Sequence, residues 1–206
     1  MRRPGSLAGA TAVFVLLSML AACGSSSGPQ ADREGAVATT AASPGLVAKA
    51  SLRHCPVTPK STPTFKAGTG VVPLTMPCLG SGEPVLLTEL GHPAVLNLWA
   101  SWCGPCAKEL PMFAAVDRET ADRVLFLGVD TADRQDAAFQ TLIDAGVHFP
   151  SVYDPQRKVQ KHLGLVGLPA TVFLRADGSI AHIKFGAVAD ATELRTLLRA
   201  HLGVVS

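Results

Sequence analysis

The stretch WASWCGPC, residues 99–106, sets two cysteines three positions apart, with Gly104 and Pro105 between them and Trp102 immediately before. It follows a run, Ala94 to Trp99, in which only Asn97 is polar. A short run that is apolar on both faces reads as a central strand of a parallel sheet. Cys103 to about Ala121 then reads as a helix, with Leu110, Phe113, Ala114 and Val116 on its apolar side. The cysteines therefore stand where a strand hands over to a helix. The first turn of a helix has unpaired N–H groups and the positive end of the macrodipole, and both favour a thiolate. Pro105 fits there because it has no N–H to lose. Cys106 lies one turn on, close enough to form a disulfide with Cys103. The expected chemistry is attack by an exposed Cys103, a mixed disulfide, and its cleavage by a buried resolving Cys106.

Strands and helices alternate outward from this junction. Val85 to Leu87 is a short strand, and Val124 to Val129 a second buried strand. Asp133 to Ala145 has amphipathic helical spacing and stops at Gly146, and Lys158 to Leu163 is a short helix. Ala170 to Leu174 and Ile180 to Phe185 are strands joined through the turn pair Asp177-Gly178, and Thr192 to Leu202 closes the chain as a helix. This order predicts an α/β domain over 71–206, a central sheet covered by helices on both faces.

The N-terminal part differs in kind. Arg2 and Arg3 precede an apolar run from Leu7 to Leu20, and residues 1–22 read as a secretory signal. The run is short for a spanning helix, which needs roughly 20 residues, although Ala21 and Ala22 extend it. Leu20-Ala21-Ala22-Cys23 resembles the lipobox of bacterial lipoproteins, in which the cysteine is acylated. That resemblance implies a lipid anchor at Cys23 and an extracytoplasmic address on the bacterial cell membrane. Residues 23–70 are rich in Ala, Ser, Thr, Pro and Gly without sustained periodicity, and read as a tether and loosely packed lead-in. The 206 residues carry 18 Lys+Arg against 16 Asp+Glu, and loss of Arg2 and Arg3 with the signal leaves the two signs equal. No basic block remains to support nucleic-acid binding.

Four features in register resemble the thioredoxin superfamily, and within it the extracytoplasmic TlpA- and ResA-type thiol–disulfide oxidoreductases. They are the motif Trp99 to Cys106; Pro111, five after Cys106; Gly167-Leu168-Pro169-Ala170-Thr171; and the helix Asp133 to Ala145 with Phe149-Pro150 after it. The resemblance implies a thioredoxin-like central sheet flanked by helices, with the extra helix of this branch. It implies a cis Pro169 facing the cysteines, with the Leu168 backbone offered to an extended substrate segment. Trp102, Gly104 and Pro105 are then substrate-facing, Trp102 lying over the cysteines and Trp99 in the core. Cytosolic thioredoxin has a buried aspartate where Asn97 stands here, so the proton lost by Cys106 needs another acceptor. Glu109 is three residues past Cys106, where ResA-like proteins carry a functional glutamate. It is the expected acid/base, its pKa raised by partial burial. The alternative is a solvated helix glutamate.

Cys55 and Cys78 remain. Outside the cytoplasm an even leftover pair suggests a structural disulfide; free thiols or a redox relay are the alternatives. A zinc site drawing on His54, Cys55 and Cys78 gives the Gly-Pro pair, the tryptophans and the proline loop no role, so no metal is expected. The redox-active Cys103–Cys106 disulfide then serves without a cofactor. The resemblance further implies protein thiol or disulfide substrates such as apocytochrome c, and a membrane thiol electron donor of the CcdA or DsbD type. Rival functions are a disulfide-forming oxidase, a peroxiredoxin-like peroxidase and a non-catalytic binding lipoprotein.

Overall fold

The computed structural model describes residues 41–56, 74–120 and 123–204. Residues 1–22 and Cys23 lie outside this range. The elements are α1 (Pro44–Ala50), β1 (Thr75–Pro77), β2 (Pro84–Leu86), β3 (Ala94–Trp99), α2 (Gly104–Thr120), β4 (Leu125–Thr131), α3 (Gln135–Asp144), β5 (Ser151–Asp154), α4 (Lys158–His162), β6 (Ala170–Leu174), β7 (Ile180–Phe185) and α5 (Ala191–Leu202).

Five strands form one sheet in the order β5-β4-β3-β6-β7. β3, β4 and β5 run parallel, whereas β6 is antiparallel to β3 and β7 antiparallel to β6. Every residue of β3 is buried, as its apolar run requires. Alternation sends Val95 and Trp99 to one face, with Phe126 and Phe173, against Phe113 of α2, Phe139 of α3 and Leu194 of α5. Leu96 and Leu98 face the other way, with Leu127 and Val172, against Val85, Leu87, Val159 and Leu165. The cover is thus unequal: helices on the first face, the antiparallel β1–β2 pair and the short α4 on the second. Helices on both faces were expected, and a hairpin does much of that work.

Two glycines are required by close approach. Gly178, at φ +78°, ends its turn with the position of a Cβ only 2.3 Å from the Thr88 carbonyl oxygen. At Gly128 a Cβ would stand 2.4 Å from Ser151 Oγ and 3.0 Å from Trp99 Nε1. Its absence lets the fully buried Trp99 indole reach toward β4.

The lead-in expected to be loose is packed from residue 41 to 56. α1 lies on α3. The Ser43 N–H donates to Asp136 at 2.8 Å, and Arg53 pairs with Asp117 of α2 at 2.5 Å. Cys55 and Cys78 are disulfide-bonded, 23 residues apart in sequence. A loop of that size contributes about 3 kcal/mol in the chain-entropy model. Cys78 also bridges to Val152 of β5, so the staple fastens this segment to the sheet's parallel edge.

Candidate active site

β3 delivers the chain through Ala100–Trp102 into α2. Cys103 caps the helix: its N–H donates to the Ala100 carbonyl and its own carbonyl accepts the Ala107 N–H, both at 3.1 Å. The Cys106 N–H donates to Cys103 Sγ at 3.3 Å. This sulfur therefore occupies the place of a capping oxygen, where a negative charge is favoured. Cys103 and Cys106 are joined, with Cα atoms 5.2 Å apart. Cys103 is 6% exposed and Cys106 0%. The expectation of an openly exposed Cys103 is corrected: the disulfide folds its sulfur over the first turn, leaving only a sliver of surface, which still exceeds that of Cys106. Gly104 and Pro105 beside it are exposed, and α2 continues unbroken through Pro111.

The Leu168–Pro169 peptide is cis. Leu98 pairs with Ala170, so Pro169 lies across from the segment that leaves β3 for Cys103. The Pro169 carbonyl accepts the Gly186 N–H at 3.1 Å. Leu168 packs against the core cluster that contains both cysteines.

Glu109 is 4% exposed. It accepts from Asn97 Nδ2 at 2.9 Å and from the Val188 N–H at 3.1 Å. Burial pushes its pKa up; the two hydrogen bonds and the Lys184 charge oppose that without cancelling it. A solvated glutamate is therefore not what the fold holds. A groove of about 490 Å³, lined by Pro105, Lys108, Glu109, Met112 and Val188, joins this carboxyl to the surface. Asn97 itself is buried, its Oδ1 unpartnered among the described residues.

Trp102 is tied to the turn after β4. Its indole N–H donates to the Ala132 carbonyl at 3.0 Å, and the side chain is 57% exposed. This contact belongs to a clamp that sequence reasoning missed. The Asp133 carboxylate accepts the Ser101 N–H, the Ser101 hydroxyl at 2.7 Å and the Arg134 N–H at 2.7 Å. Tyr153 Oη donates to the Asp133 carbonyl at 2.9 Å. The turn after β4 thus holds the loop that carries Cys103. Beneath it Asp130 is fully buried, with no donor to either carboxylate oxygen among the described residues. Burial, with the neighbouring Asp133 and Asp154 charges, holds its pKa well above the usual carboxylate value. The signal was present: an acid at the inner end of an otherwise apolar strand, Leu125-Phe-Leu-Gly-Val-Asp130.

A raised folded pKa means that Asp130 contributes stability below the unfolded value, and that this is lost as pH rises towards the folded pKa. Asp130→Asn, which keeps the shape of the side chain without its titrating group, is expected to stabilise the domain increasingly from pH 4.5 to 8. The slope is at most about 1.4 kcal/mol per pH unit. Urea unfolding across that range checks it; a pH-independent effect contradicts a buried titrating acid.

Among the described residues no three His, Cys, Asp or Glu side chains are grouped to hold a metal ion, and no helix is long and apolar enough to cross a membrane.

Residues 67–183 match the AhpC/TSA family. The sporulation thiol-disulfide oxidoreductase A of Bacillus subtilis is 29% identical over 109 residues, 51% of this chain and 66% of that protein. The thiol-disulfide oxidoreductase ResA of the same organism is 27% identical over 113 residues, 54% of this chain and 63% of that protein. The chain thus spans just under two thirds of the length of these relatives. A secreted disulfide oxidoreductase of Mycobacterium tuberculosis superposes with a TM-score of 0.56 at 27% identity, covering 62% of this chain and 96% of that one. The fold is thioredoxin-like, and the chain belongs to the AhpC/TSA family.

Proposed function

We propose that the chain is an extracytoplasmic thiol–disulfide oxidoreductase, tethered to the membrane through Cys23, that reduces disulfides in protein substrates. The observation that carries the reading is the Cys103–Cys106 disulfide at the N-terminus of α2, its outer sulfur in the capping position, with a cis Leu168–Pro169 peptide entering β6 across from the end of β3. In the reduced pair the Cys103 thiolate attacks a substrate disulfide, forming a mixed disulfide and releasing one substrate thiolate. Cys106 gives up its proton, with Glu109 as acceptor, and attacks Cys103 Sγ. The enzyme disulfide forms, the second substrate thiolate leaves, and two electrons have passed to the substrate. A membrane thiol donor of the CcdA or DsbD type would restore the pair, and apocytochrome c is the substrate that fits the resemblance to ResA.

The reverse direction uses the same atoms, so the midpoint potential decides it. A value near −270 mV, that of thioredoxin, is expected; one near −120 mV, that of DsbA, makes the protein an oxidase. Equilibration with glutathione buffers, followed by alkylation and mass spectrometry, measures it.

A further inference from the structure

A second cleft, of about 510 Å³ and sharing no lining residue with the groove at Glu109, is lined by Ser101, Trp102, Asp133, Arg134, Pro155 and Arg157. Arg134 and Arg157 are exposed, and neither guanidinium has an ion pair or hydrogen bond among the described residues. The Asp133 carboxylate at the cleft is buried and engaged by Ser101 and the Arg134 N–H, so the solvent-facing charges of this lining are both positive. The backbone here is also unusual. Ala132 and Arg157 adopt left-handed conformations, φ +53° and +57°, uncommon for residues with a side chain. One buried residue holds both turns: the Asp154 carbonyl accepts the N–H groups of Ala132 at 3.0 Å and Arg157 at 3.2 Å. Its carboxylate accepts those of Lys158 and Val159 at 2.7 and 2.9 Å. Trp102, whose indole is tied to Ala132, connects this cleft to the adjacent Cys103.

We propose that Arg134 and Arg157 form a subsite for an acidic side chain of the protein substrate, within about three residues of its reacting cysteine. Trp102, the residue before Cys103, itself lines the cleft, so an extended segment held at Cys103 meets it within a few residues. A guanidinium matches a carboxylate in planarity and donor spacing, and the two turns fix the backbone from which both arginines project. The inference rests on the proposed thiol–disulfide exchange and adds which substrates it favours.

The test uses the mature chain and peptide disulfides carrying Glu, Gln or Lys two residues from the cysteine. At low salt the Glu peptide should exceed the Gln peptide about fivefold in kcat/KM, with the Lys peptide lower by a similar factor, the scale expected for two exposed charge contacts. The order should reverse in the Arg134→Glu/Arg157→Glu double variant and flatten at about 0.5 M salt. Each ratio is taken on one protein, so a variant's own stability cancels. Equal rates for the three peptides, or an order that survives the double variant, overturns the subsite. A cysteine-free Glu peptide, titrated against Trp102 by NMR, separates the two readings. If no peptide is turned over, exchange fails, yet a Trp102 shift present in the wild type and absent in the double variant upholds the subsite; no shift in either overturns it.

Discussion

Cys103→Ser is expected to lower thiol–disulfide exchange by on the order of a thousandfold or more, while Cys106→Ala instead accumulates one mixed disulfide per chain. The asymmetry follows from the capping geometry. In the disulfide the Cys106 N–H and the positive end of α2 point at Cys103 Sγ, and Cys103 has the only exposed surface of the pair. Cys106 receives no such stabilisation and is sealed within the core cluster. A serine at 103 removes the attacking sulfur and leaves a thiol that substrate cannot reach. An alanine at 106 leaves the attacker and removes the group that expels the captured partner. Timed alkylation of the reduced wild type should show one fast thiol, absent in Cys103→Ser. Full activity of Cys103→Ser, or equal alkylation of both thiols, would falsify the assigned order of attack.

What could be read from the sequence divides along a physical line. β3, β4 and β6 carry their own evidence, because a strand buried on both faces must be largely apolar, whereas the half-buried β7 is marked by the Asp177-Gly178 turn before it. The boundary of α5 is local as well: Asp190 caps it by accepting from the Thr192 and Glu193 N–H groups at 2.8 and 2.9 Å. β5, only Ser-Val-Tyr-Asp, and the three-residue β1 carry no period long enough to detect. β5 exists because β4 binds it, and β1 because β2 does, with the Cys78 bridge following it. α1 is seven residues in an Ala/Ser/Pro-rich stretch, below the length at which a helix stands alone in water. α3, the Arg53–Asp117 pair and a disulfide support it. The site divides in the same way. Cys103, Cys106, Glu109 and Pro169 announce themselves in local motifs. The Ser101–Asp133 and Trp102–Ala132 contacts join residues 32 and 30 positions apart, and no local pattern encodes them.

Replacing Glu109 by glutamine should slow resolution of the mixed disulfide near neutral pH by about a hundredfold, the lower end of what a positioned acid or base contributes. The substitution is close to isosteric. A glutamine can still accept from Asn97 or Val188, and its amide can donate to the unpartnered Asn97 Oδ1. What it loses is the capacity to take up a proton. Only ionised Glu109 can accept from Cys106, so the wild-type rate should rise through a limb displaced above the ordinary glutamate value of 4.5. The glutamine variant should lack that limb. Stability must move oppositely. A buried carboxyl with a raised folded pKa stabilises the fold below its unfolded value, and that contribution is lost as pH rises. Glu109→Gln should therefore be as stable as the wild type near pH 4 and more stable at pH 8, while resolving more slowly. Single-turnover rates across pH, set beside urea unfolding of the same proteins, test both signs. A variant that gains stability at pH 8 yet keeps the wild-type rate profile would make Glu109 a buried carboxyl with no part in the chemistry, and the Cys106 proton would have to leave by water in the adjoining groove.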